Sequence, residues 1–270
     1  MESLLSNPAV QGGGAPFIAA LIVAVALSRA RLGGLAVLAA FATAVWFVAG
    51  FGVTPLTATR KIFLLGLAAP VLGALIDFAF RPTRLGAWAL ALAAAAAALW
   101  TFWPVLAQRG AAQALLLGGT AAVTAAWLVG FSQAKLASDG IRAGAAGLAL
   151  GVGVGAAAIL AASLTYGLYG IALGAGSGAF LLPQMIAGKK TQAGMTFMLP
   201  AALLAGLLAA GTMVLAEMPW YAVLALGLVP VAVRLPLPAG APVWLQAVLS
   251  SLYGFIVAAG VCALAWHAGG

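Results

Sequence analysis

Apolar stretches of about 20 residues, separated by single or paired cations, follow one another along this sequence. The interval 143–188 contains no charged residue. As one α-helix it would extend roughly 70 Å, because each residue adds about 1.5 Å, whereas the hydrocarbon core of a bilayer is about 30 Å thick. We therefore predict that this interval forms two membrane-crossing helices, with a turn near Thr165, Tyr166 and Gly167.

The composition favours a membrane protein over any soluble fold. Of the 270 residues, 65% are hydrophobic and 6% are charged, whereas about 25% of residues are charged in soluble domains. So little polar surface cannot cover a water-soluble core, and spans of about 20 residues use up nearly the whole chain. The predicted fold class is an all-α, polytopic transmembrane helix bundle with very short loops, forming one integral-membrane domain over residues 1–270.

Charged and turn residues divide the apolar sequence into ten segments, which we interpret as transmembrane helices. The ninth is the least regular, since Pro219–Val233 is short and Pro230 removes a backbone donor within it. Without this span the bundle would have nine helices, and the C-terminus would change sides. No internal repeat relates the two halves of the chain. The predicted spans are 9–28, 33–52, 62–80, 85–107, 111–131, 142–164, 168–187, 196–216, 219–236 and 243–266.

The cations predict how the bundle is oriented, because Lys and Arg in short loops favour the cytoplasmic side. With the N-terminus outside, nine of the 12 Lys and Arg residues fall in cytoplasmic connections and three fall outside. We therefore expect both termini in the periplasm of a bacterium, with the protein in the inner (cytoplasmic) membrane. The predicted cytoplasmic cations are Arg29, Arg31, Arg81, Arg84, Lys135, Arg142, Lys189, Lys190 and Arg234, and the outer ones are Arg60, Lys61 and Arg109.

The polar residues exclude several kinds of function. The net charge is +8, but the cations are scattered between apolar runs, which predicts no nucleic-acid surface. Cys262 and His267 are the only residues of their types, so the chain alone offers no disulfide, no multi-residue Cys/His metal site and no bis-histidine haem. No Ser/His/acid set, paired carboxylates or phosphate-binding loop occurs. We predict no cofactor and do not favour an enzyme.

Glycine spacing is the most specific pattern in the sequence. Two sets of glycines, one in the sixth segment and one in the seventh, recur at four-residue steps and so lie on one face of each helix. Such faces let helix backbones approach closely. Close packing within the chain is the leading interpretation, and an oligomer interface or a backbone-lined path are the alternatives. The helix-packing glycines are Gly147, Gly151 and Gly155, followed by Gly170, Gly174 and Gly178.

Asp77 is the acidic residue that lies deepest in a predicted span. A carboxylate inside a membrane is costly enough to mark a candidate functional site. A structural role is favoured here, because Arg81 follows one helical turn later and offers a local ion pair. Pro70, about two turns earlier, would kink the helix and expose carbonyl groups, which leaves a proton or cation site as the alternative.

Further polar residues lie in the same two helices as the glycines and in the last segment. Serine and threonine in such helices usually bond back to the preceding turn, so a substrate site is the less expected role. Together with Asp77, the candidate intramembrane polar site comprises Tyr166, Tyr169, Ser177, Gln184, Ser250 and Tyr253.

Three functions are compatible with these residues. The leading hypothesis is a transporter or permease-like protein for a small neutral or weakly polar solute, which requires a polar cavity inside the bundle. The alternative is an accessory or scaffold subunit of a larger membrane complex, which suits the extreme apolarity and the glycine faces. A membrane enzyme acting on lipid or isoprenoid substrates is less favoured. The expected partners are membrane lipids, with a homo-oligomer or a larger membrane complex as the assemblies to test.

Overall fold

A computed structural model describes the protein over residues 7–30, 32–52, 54–79, 83–216 and 218–269. These residues form helices and short connections with no β-strand among them, and eight of their helices are long and apolar enough to cross a membrane. The predicted fold class, a helical transmembrane bundle, is confirmed. The helices are α1 (Val10–Leu27), α2 (Gly33–Val48), α3 (Ala58–Ala79), α4 (Arg84–Leu106), α5 (Ala111–Leu136), α6 (Gly140–Leu160), α7 (Leu164–Ala187), α8 (Gly194–Leu215), α9 (Trp220–Ala232) and α10 (Val243–Gly269).

The turn between α6 and α7 lies earlier than its predicted position at 165–167. Helix α6 ends at Leu160, where the Ser163 amide donates to the Ala158 carbonyl at 2.8 Å and Ala162 adopts a φ of 60°. This hydrogen bond closes the helix end in the manner of a C-terminal cap. The predicted turn residues instead belong to the first turn of α7.

The α5–α6 and α7–α8 loops meet at one end of the bundle, which we call the charged end. The Gly194 amide donates to the Ala137 carbonyl, and the Gly140 amide donates to the Thr191 carbonyl, both at 2.9 Å. These bonds join the α5–α6 loop to the α7–α8 loop. The cations of the charged end whose side chains are described are Lys135, Arg142, Lys189, Lys190 and Arg234.

The opposite end of the bundle is held by bonds between different helices and loops. Nη2 of Arg109, between α4 and α5, donates to the carbonyl of Val214 in the last turn of α8 at 3.3 Å. The hydroxyl of Thr59, at the start of α3, lies 3.2 Å from that of Tyr166 at the start of α7. Arg60 and Lys61 lie at the same end. The described cations thus lie at the two ends of the bundle in the order expected when successive segments cross in opposite directions. Which side of the membrane each end faces stays a prediction.

Helix α9 is one of two short helices in the described chain, together with α2. A 3-10 turn, Leu226–Leu228, interrupts it just before Pro230, which has no N–H for a helix bond. At about 1.5 Å per residue α9 is roughly 20 Å long, shorter than a hydrocarbon core of about 30 Å. Its far end reaches the charged end, because the Arg142 guanidinium donates to the Arg234 carbonyl at 3.3 Å.

Helix α8 forms the centre of the bundle. Every residue from Met195 to Val214 is buried, and α3, α5 and α6 pack around it. The hydroxyl of Thr212 donates to the Leu208 carbonyl in its own helix at 2.8 Å. Within a membrane this kind of packing is stabilised by dispersion and close fit. The core that results is dense and apolar along the whole length of α8.

Helices α6 and α7 approach each other where glycines of both helices meet. A Cβ atom at Gly151 would overlap the backbone of Gly174, and a Cβ atom at Gly170 would lie 2.6 Å from Cα of Gly155. Real Cβ atoms do not come so close to backbone atoms, so only glycine permits this separation. The backbones of the two helices are therefore in direct contact within the chain.

The other two glycines of the pattern contact side chains. An added Cβ at Gly147 would meet the Ser177 side chain, with Ser177 Cβ 3.1 Å away. At Gly178 the nearest atom would be Leu148 Cδ1 at an ordinary 3.6 Å. The closest contact is thus limited to the middle of the α6–α7 interface.

Candidate functional site

The candidate polar residues do not converge on one site. The structure distributes them along the bundle, and each group has its own contacts. Asp77 and Gln184 lie at the charged end, Tyr166 and Tyr169 toward the opposite end, Ser177 between them, and Ser250 and Tyr253 on α10.

Asp77, near the end of α3, caps the N-terminus of the central helix α8. Its Oδ1 accepts from the Met195 amide at 2.7 Å, and its Oδ2 accepts from the Thr196 amide at 2.8 Å and from the Thr196 hydroxyl at 2.7 Å. The first amides of a helix have no partner within the helix, and the helix dipole favours a negative charge beside them. Ala193, at the N-cap of α8, offers no side-chain bond. Asp77 supplies that cap from another helix, and we call this arrangement the Asp77–α8 junction.

Two glycines permit the close approach of α3 and α8 at this junction. Gly194 begins α8 with a φ of 65°, which glycine adopts without strain, and a Cβ atom there would overlap the Asp77 carboxylate. Gly73 lies one turn before Asp77, and a Cβ atom at Gly73 would lie 2.9 Å from Cα of Thr196. The side chain of Asp77 reaches the amides of α8 because neither glycine occupies the space between the helices.

Arg81, the predicted ion-pair partner of Asp77, lies outside the described residues. The described partners of the carboxylate are the amides and the hydroxyl of α8. Spacing along the chain could not reveal them, since Asp77 and Met195 come together only through helix packing. The one signal of this contact in the sequence was position 193, the N-cap of α8. It is an alanine, whereas a helix normally has Ser, Thr, Asp or Asn there.

Gln184 orders the loop between α7 and α8. Its Oε1 accepts from the Thr191 amide at 3.0 Å, and its Nε2 donates to the Phe180 carbonyl at 3.1 Å. The Thr191 carbonyl in turn accepts from the Gly140 amide at the start of α6. Because Gln184 is buried, its amide needs partners, and these bonds provide them.

Tyr166 and Tyr169 lie near the start of α7. Tyr169 is fully buried, with its ring edge-on to Phe63 at a centroid distance of 5.2 Å and tilted against Phe41 at 5.7 Å. Its hydroxyl has no hydrogen-bond partner among the described residues, whereas the Tyr166 hydroxyl has Thr59. A buried hydroxyl of this kind is uncommon, so Tyr169 is the polar group of α7 with unused bonding capacity.

The two serines of the candidate site differ in their contacts. Ser177 donates to the Leu173 carbonyl one turn earlier at 2.9 Å, the bonding usual for serine in such helices. Ser250 is fully buried without a partner among the described residues. Tyr253, nearby on α10, donates to the Pro236 carbonyl at 3.4 Å.

Lys61 is a residue whose role the sequence interpretation missed, because it was treated only as a topology signal. Its side chain is 7% exposed, and Nζ donates to the Trp100 carbonyl at 2.8 Å while lying 4.6 Å from the centroid of the Trp100 ring. Pro104, four residues later, has no N–H to donate to that carbonyl. The ammonium group therefore replaces a missing helix hydrogen bond of α4. In the sequence, Pro104 inside an apolar segment was the signal that one helix carbonyl lacks its usual donor.

The carboxylates of the described residues act as helix caps. Asp139 accepts from the Ile141 amide at 3.1 Å and from the Arg142 amide at 3.2 Å at the start of α6, as Asp77 does for α8. Across the described ranges, no group of three or more His, Cys, Asp or Glu residues is placed to hold a metal ion. The described carboxylates at the charged end thus accept hydrogen bonds from helix N-termini.

Fold and contacts together define the class as an integral membrane helix bundle with a buried central helix. Comparison of the chain with protein-family models, with curated proteins and with solved structures found no match.

Proposed function

We propose that this chain is a permease-like transporter of the bacterial inner membrane for a small neutral or weakly polar solute, with the Asp77–α8 junction as its gate. The observation that carries the proposal is that a carboxylate on one apolar helix, α3, holds the first turn of the most deeply buried helix, α8. Ionisable groups within membrane segments are costly and mark functional sites by default. In this proposal the charged end faces the cytoplasm, because cations in short loops favour that side.

Prolines within the helices around the junction support the same proposal. Pro70 lies within α3, Pro183 within α7 and Pro200 within α8, and each removes one helix hydrogen bond. Freed carbonyls and broken helices are features that transporters use to bind solutes and to change shape. Gly194, with its positive φ, is a point at which α8 can turn relative to the preceding loop.

The junction is closed in the structure, so transport requires a second arrangement. Just inside the junction, Phe197 of α8 stacks on Phe180 of α7 with ring centroids 4.3 Å apart. Ser177 lies beyond this pair, fully buried against Gly147. Separation of α8 from α3 and α7 at the charged end would expose Ser177 to water.

Cysteine labelling tests this path without knowledge of the solute. Cys262 is the only cysteine, so Cys262→Ser gives a background without thiols. In that background, Ser177→Cys is expected to react with a membrane-impermeant maleimide added from the charged-end side, because each opening exposes the residue. The extent of reaction is measured over time by mass spectrometry in sealed vesicles of both orientations.

A control variant is Ala121→Cys on α5, which is equally buried and lies outside the proposed path. It should stay unlabelled under conditions that modify residue 177. Equal labelling of the two variants, or no labelling of S177C from either side, would contradict a path past Ser177.

The dense core favours a second candidate function, an accessory or scaffold subunit of a larger membrane complex. Every residue from Met195 to Val214 is buried, and the Ser177 and Thr212 hydroxyls bond within their own helices, which suits a protein that needs no path. Purification in mild detergent, with identification of co-purifying proteins, separates the two candidates. A stoichiometric partner together with an unlabelled S177C favours the subunit, whereas a chain that purifies alone and labels at residue 177 favours transport.

A further inference from the structure

Lys61 is a buried cation at the end of the bundle opposite the Asp77–α8 junction. One of its N–H groups is used by the Trp100 carbonyl, and the Trp100 ring lies beside it. An ammonium group has three donors. A carbonyl and an aromatic face stabilise it in part, but a buried charge is fully stabilised only by an opposite charge and further hydrogen bonds.

The surface beside Lys61 is a groove that opens to the outside of the bundle. Its volume is about 330 Å³, and besides Lys61 it is lined by Leu99, Trp100, Trp103 and Pro104 of α4. Apart from the cation, its walls are apolar side chains. The groove therefore joins one positive charge to a surface suited to hydrocarbon.

A second groove continues from the first between α4 and α5. It measures about 380 Å³, shares Leu99 and Trp103 with the first, and includes Leu115 and Arg109 among its lining residues. We call the two together the lateral groove. The lateral groove has a long apolar wall and one cation in each part, Lys61 and Arg109. Such a surface matches an amphiphile that has an anionic head and a hydrocarbon chain.

The charges of the described residues complement an anion at this site. The carboxylates in the described ranges are Asp77 and Asp139, and both lie at the charged end, where they cap helices. Trp100 and Trp103 lie in the last two turns of α4, and tryptophans near the ends of membrane-crossing helices favour the level where lipid head groups begin. An anion that completes the partners of Lys61 would therefore come from the head-group region of the bilayer.

We propose that the lateral groove binds an anionic phospholipid, with its phosphate on Lys61 and one acyl chain along Leu99 and Trp103. Basic residues between transmembrane helices bind lipid head groups by charge and hydrogen bonds, and the apolar wall adds the burial of the chain. This inference goes beyond the proposed transport function and does not depend on it.

Native mass spectrometry of the purified full-length chain tests the proposal, with phosphatidylglycerol and phosphatidylcholine of identical acyl chains as probes. The wild type is expected to retain phosphatidylglycerol in preference. Lys61→Gln should weaken that retention by about tenfold, because a charge-assisted hydrogen bond is lost, and Lys61→Arg should largely preserve it. Arg60→Gln is the matched control, since Arg60 is the adjacent cation, donates to the Pro55 carbonyl and does not line the groove.

Several outcomes would overturn the proposal. Equal retention of the two lipids by the wild type excludes an anion site, and this comparison holds even if K61Q fails to fold. If K61Q and R60Q lose the same amount of phosphatidylglycerol retention, the preference comes from the net charge of the protein and not from Lys61. Displacement of phosphatidylglycerol by a long-chain isoprenyl phosphate at much lower concentration identifies a different ligand. If a second protein chain covers this face and excludes both lipids, the groove binds a protein and not a phospholipid.

Discussion

Gly151→Leu is expected to prevent the folded protein from accumulating, or to lower its free energy of unfolding by about 3 kcal/mol or more. A loss of this size equals or exceeds the usual range for overpacked cores. Gly151 lies directly against the backbone of Gly174. A leucine there meets main-chain atoms, which cannot rotate away as a flexible side chain can. The effect is measured as the fraction of monodisperse protein in detergent extracts and as the midpoint of thermal unfolding.

Gly260→Leu is the matched control for this substitution. Gly260 lies within α10, and an added Cβ there would have no atom within 4 Å, so a leucine adds no clash. Because glycine is unfavourable in a helix interior by about 1 kcal/mol, G260L should be neutral or slightly stabilising. If G151L and G260L unfold at the same temperature, the α6 and α7 backbones are not in the contact described.

Asp77→Ala is expected to destabilise the start of α8 more than any other loss of a polar side chain in the described chain. The change leaves the Met195 amide and the amide and hydroxyl of Thr196 without their acceptor. Loss of a helix cap costs about 1 kcal/mol, and each buried unpaired donor costs about 1–3 kcal/mol. We therefore expect a loss of roughly 3 kcal/mol and faster hydrogen exchange at residues 195–197, both measured in detergent.

Asp139→Ala provides the comparison, since Asp139 caps α6 through two amide bonds of 3.1 and 3.2 Å, whereas Asp77 accepts three bonds of 2.7–2.8 Å. Its loss should cost about 1 kcal/mol, as expected of an ordinary cap. Asp77→Asn keeps one of the two acceptor oxygens and should cost less stability than D77A. If Asp77 has a role in transport, D77N abolishes activity while the protein stays folded. Unchanged exchange at residues 195–197 in D77A would show that the carboxylate does not hold α8.

The helices could be predicted because the bilayer imposes both a length and an apolar composition on every segment. Helices α6 and α7 were recognised as two because no single helix of that length fits the hydrocarbon core. Their turn was misplaced because residues 161–163 are Ala-Ala-Ser, with neither glycine nor proline, whereas Gly167 resembles a turn residue. At the end of α6, closed by the bond from the Ser163 amide to the Ala158 carbonyl, an alanine, Ala162, adopts the positive φ that sequence statistics assign to glycine.

The contacts of the polar residues could not be predicted, because they join positions far apart in the chain. Asp77 was recognised as a carboxylate within a predicted span, but its partners lie on α8. Lys61 was counted as an interfacial charge, whereas its partner is a carbonyl of α4 that Pro104 leaves free. In both cases the partner is a backbone group at a helix end or a proline, and backbone groups carry no residue signature.

The two ends of α8 are each held by a charge of the favourable sign. Asp77 binds its N-terminus from α3, and Arg109 binds the Val214 carbonyl at its C-terminus from the α4–α5 loop, so both ends of the helix dipole are compensated. A shift of α8 along its axis would break both contacts together. Release of Asp77 alone leaves the Arg109 contact as a pivot. The N-terminal half would then swing outward while the C-terminal half stays in place, so motion would be largest beside Phe197 and smallest beside Thr212.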